Sequence, residues 1–127
     1  AILMDSDRKR KAGSDRLPQM NVGKTKRRLR HEIEAIGGFA WITAGKEIEN
    51  YTPATVWQKL TVERLRITDE FEDIPKLTAI KSVASTKVDL AHKATDVIER
   101  DDIKNSLDLE DRLSELITHI KKWNSLE

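Results

Sequence analysis

The chain has 127 residues, with 23 Lys+Arg against 22 Asp+Glu and a formal net charge of +1. That length suits one domain and is short for a multi-domain enzyme. Charged residues make up 35% and hydrophobic ones 38%, which leaves a small core, and the absence of cysteine excludes a disulfide scaffold, a cysteine zinc site, an iron–sulfur cluster and a thiol nucleophile.

Ala1-Ile2-Leu3-Met4 predicts a short buried strand, ended by Asp5-Ser6-Asp7. Domain ends are usually polar, so an apolar run at residue 1 suggests a central strand cut from its context, and a fragment of a longer protein is expected. Residues 8–23 predict a loop, with Gly13, Pro18 and Gly23 and no helical periodicity. A helix follows over about 24–36 with a thin apolar face of Leu29, Ile33 and Ile36, stopped by Gly37-Gly38. Phe39-Ala40-Trp41-Ile42-Thr43 has the composition of a strand, and Ala44-Gly45 turns the chain.

Glu47–Tyr51 predicts a short helical turn or loop. Thr52-Pro53 then predicts a helix start, Thr as N-cap and Pro at the first position, with Val56, Trp57, Leu60 and Leu65 on its apolar face. Residues 66–78 read as irregular around Pro75. A helix is predicted over 86–99, with apolar residues at Val88, Ala91, Thr95, Val97 and Ile98. The last helix, over 107–124, is the clearest: Leu109, Leu113, Leu116, Ile117, Ile120 and Trp123 recur at helical spacing. The order strand, helix, strand, then helices predicts an α/β chain. Residues 1–60 form a parallel βαβ unit and residues 61–127 a mainly helical region.

No apolar run approaches the roughly 20 residues of a membrane span. The start of the chain has apolar before basic residues, the reverse of a secretory leader. A cytoplasmic protein without a membrane partner is therefore expected. The near-zero net charge hides an asymmetry. Residues 8–30 hold ten basic residues and one acidic residue, Asp15. Arg8, Lys9, Arg10, Lys11, Arg16, Lys24, Lys26, Arg27, Arg28 and Arg30 make this segment a candidate phosphate contact or a solvated face. No aromatics interleave with it, so base stacking is not signalled.

Ligands gather at the carboxyl ends of parallel strands. Asp5 and Asp7 fall just past the first predicted strand, and Glu47 and Glu49 just past the second. Four carboxylates at one sheet edge repel each other unless a cation lies between them, and hard divalent cations take such oxygen ligands. Asp-x-Asp also caps turns in ordinary loops. Lys46 is a further phosphate candidate or a solvated loop lysine. His31, His92 and His119 have no ligand spacing and read as helix-surface residues. Val22-Gly23-Lys24-Thr25 lacks the earlier glycine of a phosphate-binding loop.

An apolar strand ending in Asp-Ser-Asp, a Lys/Arg-rich loop, a basic helix, Phe-Ala-Trp-Ile-Thr and Gly-Lys-Glu-Ile-Glu-Asn-Tyr together resemble the second half of a Toprim domain. More specifically, they resemble the Toprim nuclease of the overcoming-lysogenization-defect (OLD) family. The resemblance is strongest over residues 1–55 and continues weakly to Lys87-Val88-Asp89-Leu90-Ala91. It implies a partial Toprim-like parallel sheet and two-metal phosphodiester hydrolysis with Mg²⁺ or Mn²⁺. It implies that Asp5 and Asp7 bind metal, that Glu47 or Glu49 completes the shell, and that Lys87 stabilises charge on the scissile phosphate. Glu49 aligns best with the Glu-Asn-Tyr part of the motif.

DNA is the implied substrate, with an ATPase domain upstream or on a separate chain and a homodimer as a further option. Toprim domains also use a glutamate on an earlier strand, which this sequence does not contain, so a nuclease needing its other half is expected. The competing expectation is a non-catalytic DNA-binding or assembly module. It would use the basic segment for phosphate and the amphipathic last helix for a partner.

Overall fold

A computed structural model describes residues 1–8, 22–67 and 69–125. Strand β1 (Ile2–Met4) lies parallel to strand β2 (Ala40–Ile42), with Ile2 opposite Ala40, Leu3 opposite Trp41 and Met4 opposite Ile42. The Ile2 N–H donates to Phe39 C=O and the Thr43 N–H to Met4 C=O, extending the ladder at both ends. Parallel strands need a long crossover. Here it contains helix α1 (Lys24–Ala35), as the strand–helix–strand pattern predicts. Residues 9–21 of the loop expected over 8–23 lie outside the described residues.

Gly37 ends α1 in the left-handed conformation (φ 74°), where glycine has no steric penalty. Its N–H donates to Glu34 C=O, and the Gly38 N–H donates to Ile33 C=O. These two bonds make the Schellman cap that the paired glycines predict.

Past β2, Ile48–Tyr51 forms a single 3₁₀ turn, followed by α2 (Ala54–Leu60). Pro53, expected at the first helical position, stands instead at the N-cap of α2, which starts at Ala54. Thr52 instead closes the preceding turn, its N–H donating to Glu49 C=O. A second 3₁₀ turn (Ile74–Lys76) leads into α3 (Thr78–Lys81). Then come α4 (Lys87–Val97), α5 (Arg100–Ile103) and α6 (Leu109–Trp123). Thr86 caps α4 by accepting from the Asp89 N–H at 3.1 Å.

Among the described residues the chain is a mixed α/β structure, with one two-stranded parallel sheet and mostly helices. No helix among them is long and apolar enough to cross a membrane.

Two apolar clusters hold these elements. Val56, Trp57, Ile74, Ile80, Leu90 and Ala94 form the larger one, bordered by Leu60, Leu65, Ile67 and Val97. In this stretch Leu90 and Ala94 are buried and Val97 and Ile98 pack against the larger cluster, while Val88, Ala91 and Thr95 are exposed. Leu90, Ala94 and Val97, spaced four and three residues apart, share the helix face that meets the core. Phe39, Trp41 and Tyr51 form the second cluster, covered by Leu109 and Leu116 of α6. Both clusters draw residues from either side of position 60, where the α/β and helical regions were expected to part.

Candidate functional site

The loops after the two strands run side by side, and Ser6 locks them together. Its side chain is buried at 1% exposure. The Ser6 N–H donates to Thr43 Oγ1 at 2.8 Å, and Ser6 Oγ donates to Gly45 C=O at 2.6 Å. Thr43 Oγ1 donates in turn to the same carbonyl at 3.0 Å. The Asp7 N–H donates to Lys46 C=O at 2.9 Å. Asp7 itself sits at φ 54°, a left-handed position that aspartate tolerates better than most residues. Gly45 has no room for a side chain. A Cβ there would lie 2.7 Å from Glu70 C=O and 2.6 Å from Asn50 Cβ. Gly45→Ala is expected to lower stability by about 1–3 kcal/mol, read from urea unfolding, because backbone must shift to admit the methyl group.

This lock sets the acidic residues at one edge. Asp5 Oδ1 accepts the Ile48 N–H at 2.9 Å, so its carboxylate stands against the segment that carries Glu47 and Glu49. That segment is held by a reciprocal cap: the Glu47 N–H donates to Asn50 Oδ1 at 2.8 Å, and the Glu47 side chain accepts from the Asn50 backbone. Asn50 Nδ2 donates to Glu72 C=O at 2.9 Å. Lys87, forty residues on, reaches the same place from the first turn of α4. Its ammonium is 3.0 Å from Glu47 Oε2 and 3.2 Å from Glu49 Oε1. A lysine at a helix N-terminus is unfavourable to the helix dipole, and the two carboxylates offset it. Burial works against the Lys87 charge, but the hydrogen bonds and charges of Glu47 and Glu49 outweigh it and hold its pKa above the ordinary lysine value.

Asp5, Glu47, Glu49 and Lys87, drawn from three distant stretches, are therefore brought together. Asp7 is 61% exposed and pairs with Lys26 of α1, which also donates to Asp5 C=O. Each acidic pair thus has a lysine counter-charge. The oxygen donors suit a hard divalent cation, and Glu49 Oε2 is a buried acceptor without a hydrogen-bond partner. Among the described residues, no three acidic or histidine side chains converge tightly enough to form a ready metal shell.

The basic candidates divide. Lys24 and Arg27 are exposed on α1, and Arg28 and Arg30 pair along the helix with Glu32 and Glu34 at 3.3 and 4.0 Å. Arg8 turns back to the sheet, with Nη1 3.5 Å from Ala44 C=O. Lys9, Arg10, Lys11 and Arg16 lie outside the described residues. His31 and His92 are exposed, but His119 packs its ring 5.3 Å from Phe39 and 5.5 Å from Trp123.

Lys46 is not a solvated loop lysine. It is buried and pairs with Asp73 at 2.5 Å, which also meets Lys76 at 2.9 Å. Hydrogen bonds from Lys46 first and Lys76 second hold the Asp73 carboxyl below the usual range. Folding thus favours the ionised form. The resulting stability is complete above about pH 4 and is lost as pH falls through the lowered folded value. Urea midpoints of wild type and Asp73→Asn are expected to differ at pH 7 and to converge in acid.

Tyr51 was legible only as the end of a motif, yet it fastens the second cluster. Its hydroxyl accepts from Trp41 Nε1 and from the Ala44 N–H, both at 3.0 Å, and donates to Asp108 Oδ1 at 2.6 Å. Ser106 Oγ donates to the Tyr51 carbonyl.

No protein-family model matches the chain, and neither a curated protein nor a solved structure matches it.

Proposed function

We propose that this chain is part of a Toprim-like, metal-dependent nuclease of the overcoming-lysogenization-defect kind. Its working edge is the one built from Asp5, Asp7, Glu47, Glu49 and Lys87. The observation that carries this reading is the convergence of Asp5, Glu47, Glu49 and Lys87 at the carboxyl ends of two parallel strands. Asp5, Asp7 and Glu49, with Glu47, would hold Mg²⁺ or Mn²⁺, which supplies Lewis-acid stabilisation of phosphate charge. Lys87 would hold positive charge toward the scissile phosphate, and the exposed cations of α1 would seat the nucleic-acid backbone. The reading implies DNA as substrate, an ATPase partner in the same polypeptide or on a separate chain, and a cytoplasmic setting.

Calorimetric titration with MnCl₂ tests it. A saturable heat is expected, abolished in Asp5→Asn/Asp7→Asn; no heat, or heat unchanged in that variant, overturns the metal site. The lysine counter-charges favour a second reading, a phosphate-binding module without metal. That reading predicts salt-sensitive DNA binding that persists in the double aspartate variant.

A further inference from the structure

Helix α6 carries more apolar surface than its own fold covers. Leu109 and Leu116 close the cluster around Phe39, Trp41 and Tyr51. Leu113, Ile117 and Ile120, spaced four and three residues apart, form an adjoining stripe and remain 39%, 53% and 42% exposed. Single exposed apolar residues are ordinary, but a contiguous stripe on one helix marks a contact surface.

The charges beside the stripe say what fits it. Glu110 and Lys121 lie about three turns apart and therefore on the same edge of the stripe. Neither has an ion-pair partner among the described residues. A second α6 laid antiparallel sets Leu113 against Ile120 and brings Glu110 of each copy toward Lys121 of the other. The helix dipoles also oppose each other favourably in the antiparallel arrangement. The surface is thus complementary to itself about a two-fold axis near Ile117, the condition for an isologous dimer.

We propose that the chain pairs with a second copy of itself through an antiparallel α6–α6 contact. This inference is independent of the metal site. Sedimentation velocity of the full chain at about 100 µM in low salt is expected to give twice the chain mass. Ile117→Glu places two carboxylates near the axis and is expected to return the species to one chain mass with an unchanged circular dichroism spectrum. Because the chain has no cysteine, single cysteines report the orientation. An equimolar mixture of Glu110→Cys and Lys121→Cys is expected to oxidise mainly to the mixed disulfide. A wild-type chain that sediments as one copy, a dimer untouched by Ile117→Glu, or homodisulfides in preference to the mixed species overturns the proposal.

Discussion

Tyr51→Phe is expected to destabilise the chain by about 2–5 kcal/mol, since two buried donors each lose their acceptor. The substitution removes one oxygen and leaves the ring in place, so packing is preserved and the loss reports the hydrogen bonds. Trp41 Nε1 and the Ala44 N–H both donate to that oxygen, and Asp108 accepts from it. The effect concentrates on α6, which follows directly from Asp108 and has no buried residue of its own. Amide exchange should rise along Leu109–Trp123 before it rises in α4. Urea unfolding measures the total; a change below about 0.5 kcal/mol, the scale of an ordinary surface substitution, would sink the claim that Tyr51 is the fastening. The pH profile adds a check. Burial first, and the bond to Asp108 second, raise the Tyr51 pKa. The fold therefore favours the neutral phenol, and its contribution is complete below about pH 10 and lost as pH rises through the raised value. The phenylalanine variant should lose that part of the alkaline slope.

Lys87→Met is expected to raise the affinity for Mn²⁺ about tenfold, a change of roughly 1.4 kcal/mol. The ammonium lies 3.0 and 3.2 Å from the two carboxylates and so competes with any added cation for the same oxygens. Methionine keeps much of the chain length while removing the charge. Comparing MnCl₂ titrations of the two proteins decides the matter. Affinity that is unchanged or weaker in the variant would mean that metal and lysine do not share ligands. Stability should change little, because Lys87 is half exposed and such pairs are worth about 0–1 kcal/mol. An unfolded variant would therefore contradict the surface character of the pair.

Long elements with a clear period were legible in the sequence: α1, α4 and α6 fall within a residue or two of their expected bounds, and both strands lie within theirs. The paired glycines correctly marked the end of α1. The four-residue α5 and the Ile74–Lys76 turn were missed because one helical turn leaves no periodic trace. Of the apolar residues read over 86–99, Val97 and Ile98 pack on the core and Val88 does not, because only the surrounding packing chooses between neighbouring stripes.

In the candidate site, the spacing of the carboxylates past the strand ends was readable, whereas Lys87 was named only through the resemblance. The roles of Ser6, Lys46 and Asp73 were not readable. No sequence pattern singled out Ser6. Its meaning depends on Thr43 and Gly45, almost forty residues away, and single-sequence patterns carry no such pairing.

That separation along the chain has a consequence for folding. Asp5 meets Ile48 across 43 residues, and Glu47 meets Lys87 across 40. Contacts this distant form only after the entropy of closing long loops has been overcome, so they are late and slow compared with helix formation. The carboxylate edge is then among the last parts of the molecule to be assembled during refolding. A probe of that edge would report complete tertiary closure, while helical signal would return well ahead of it.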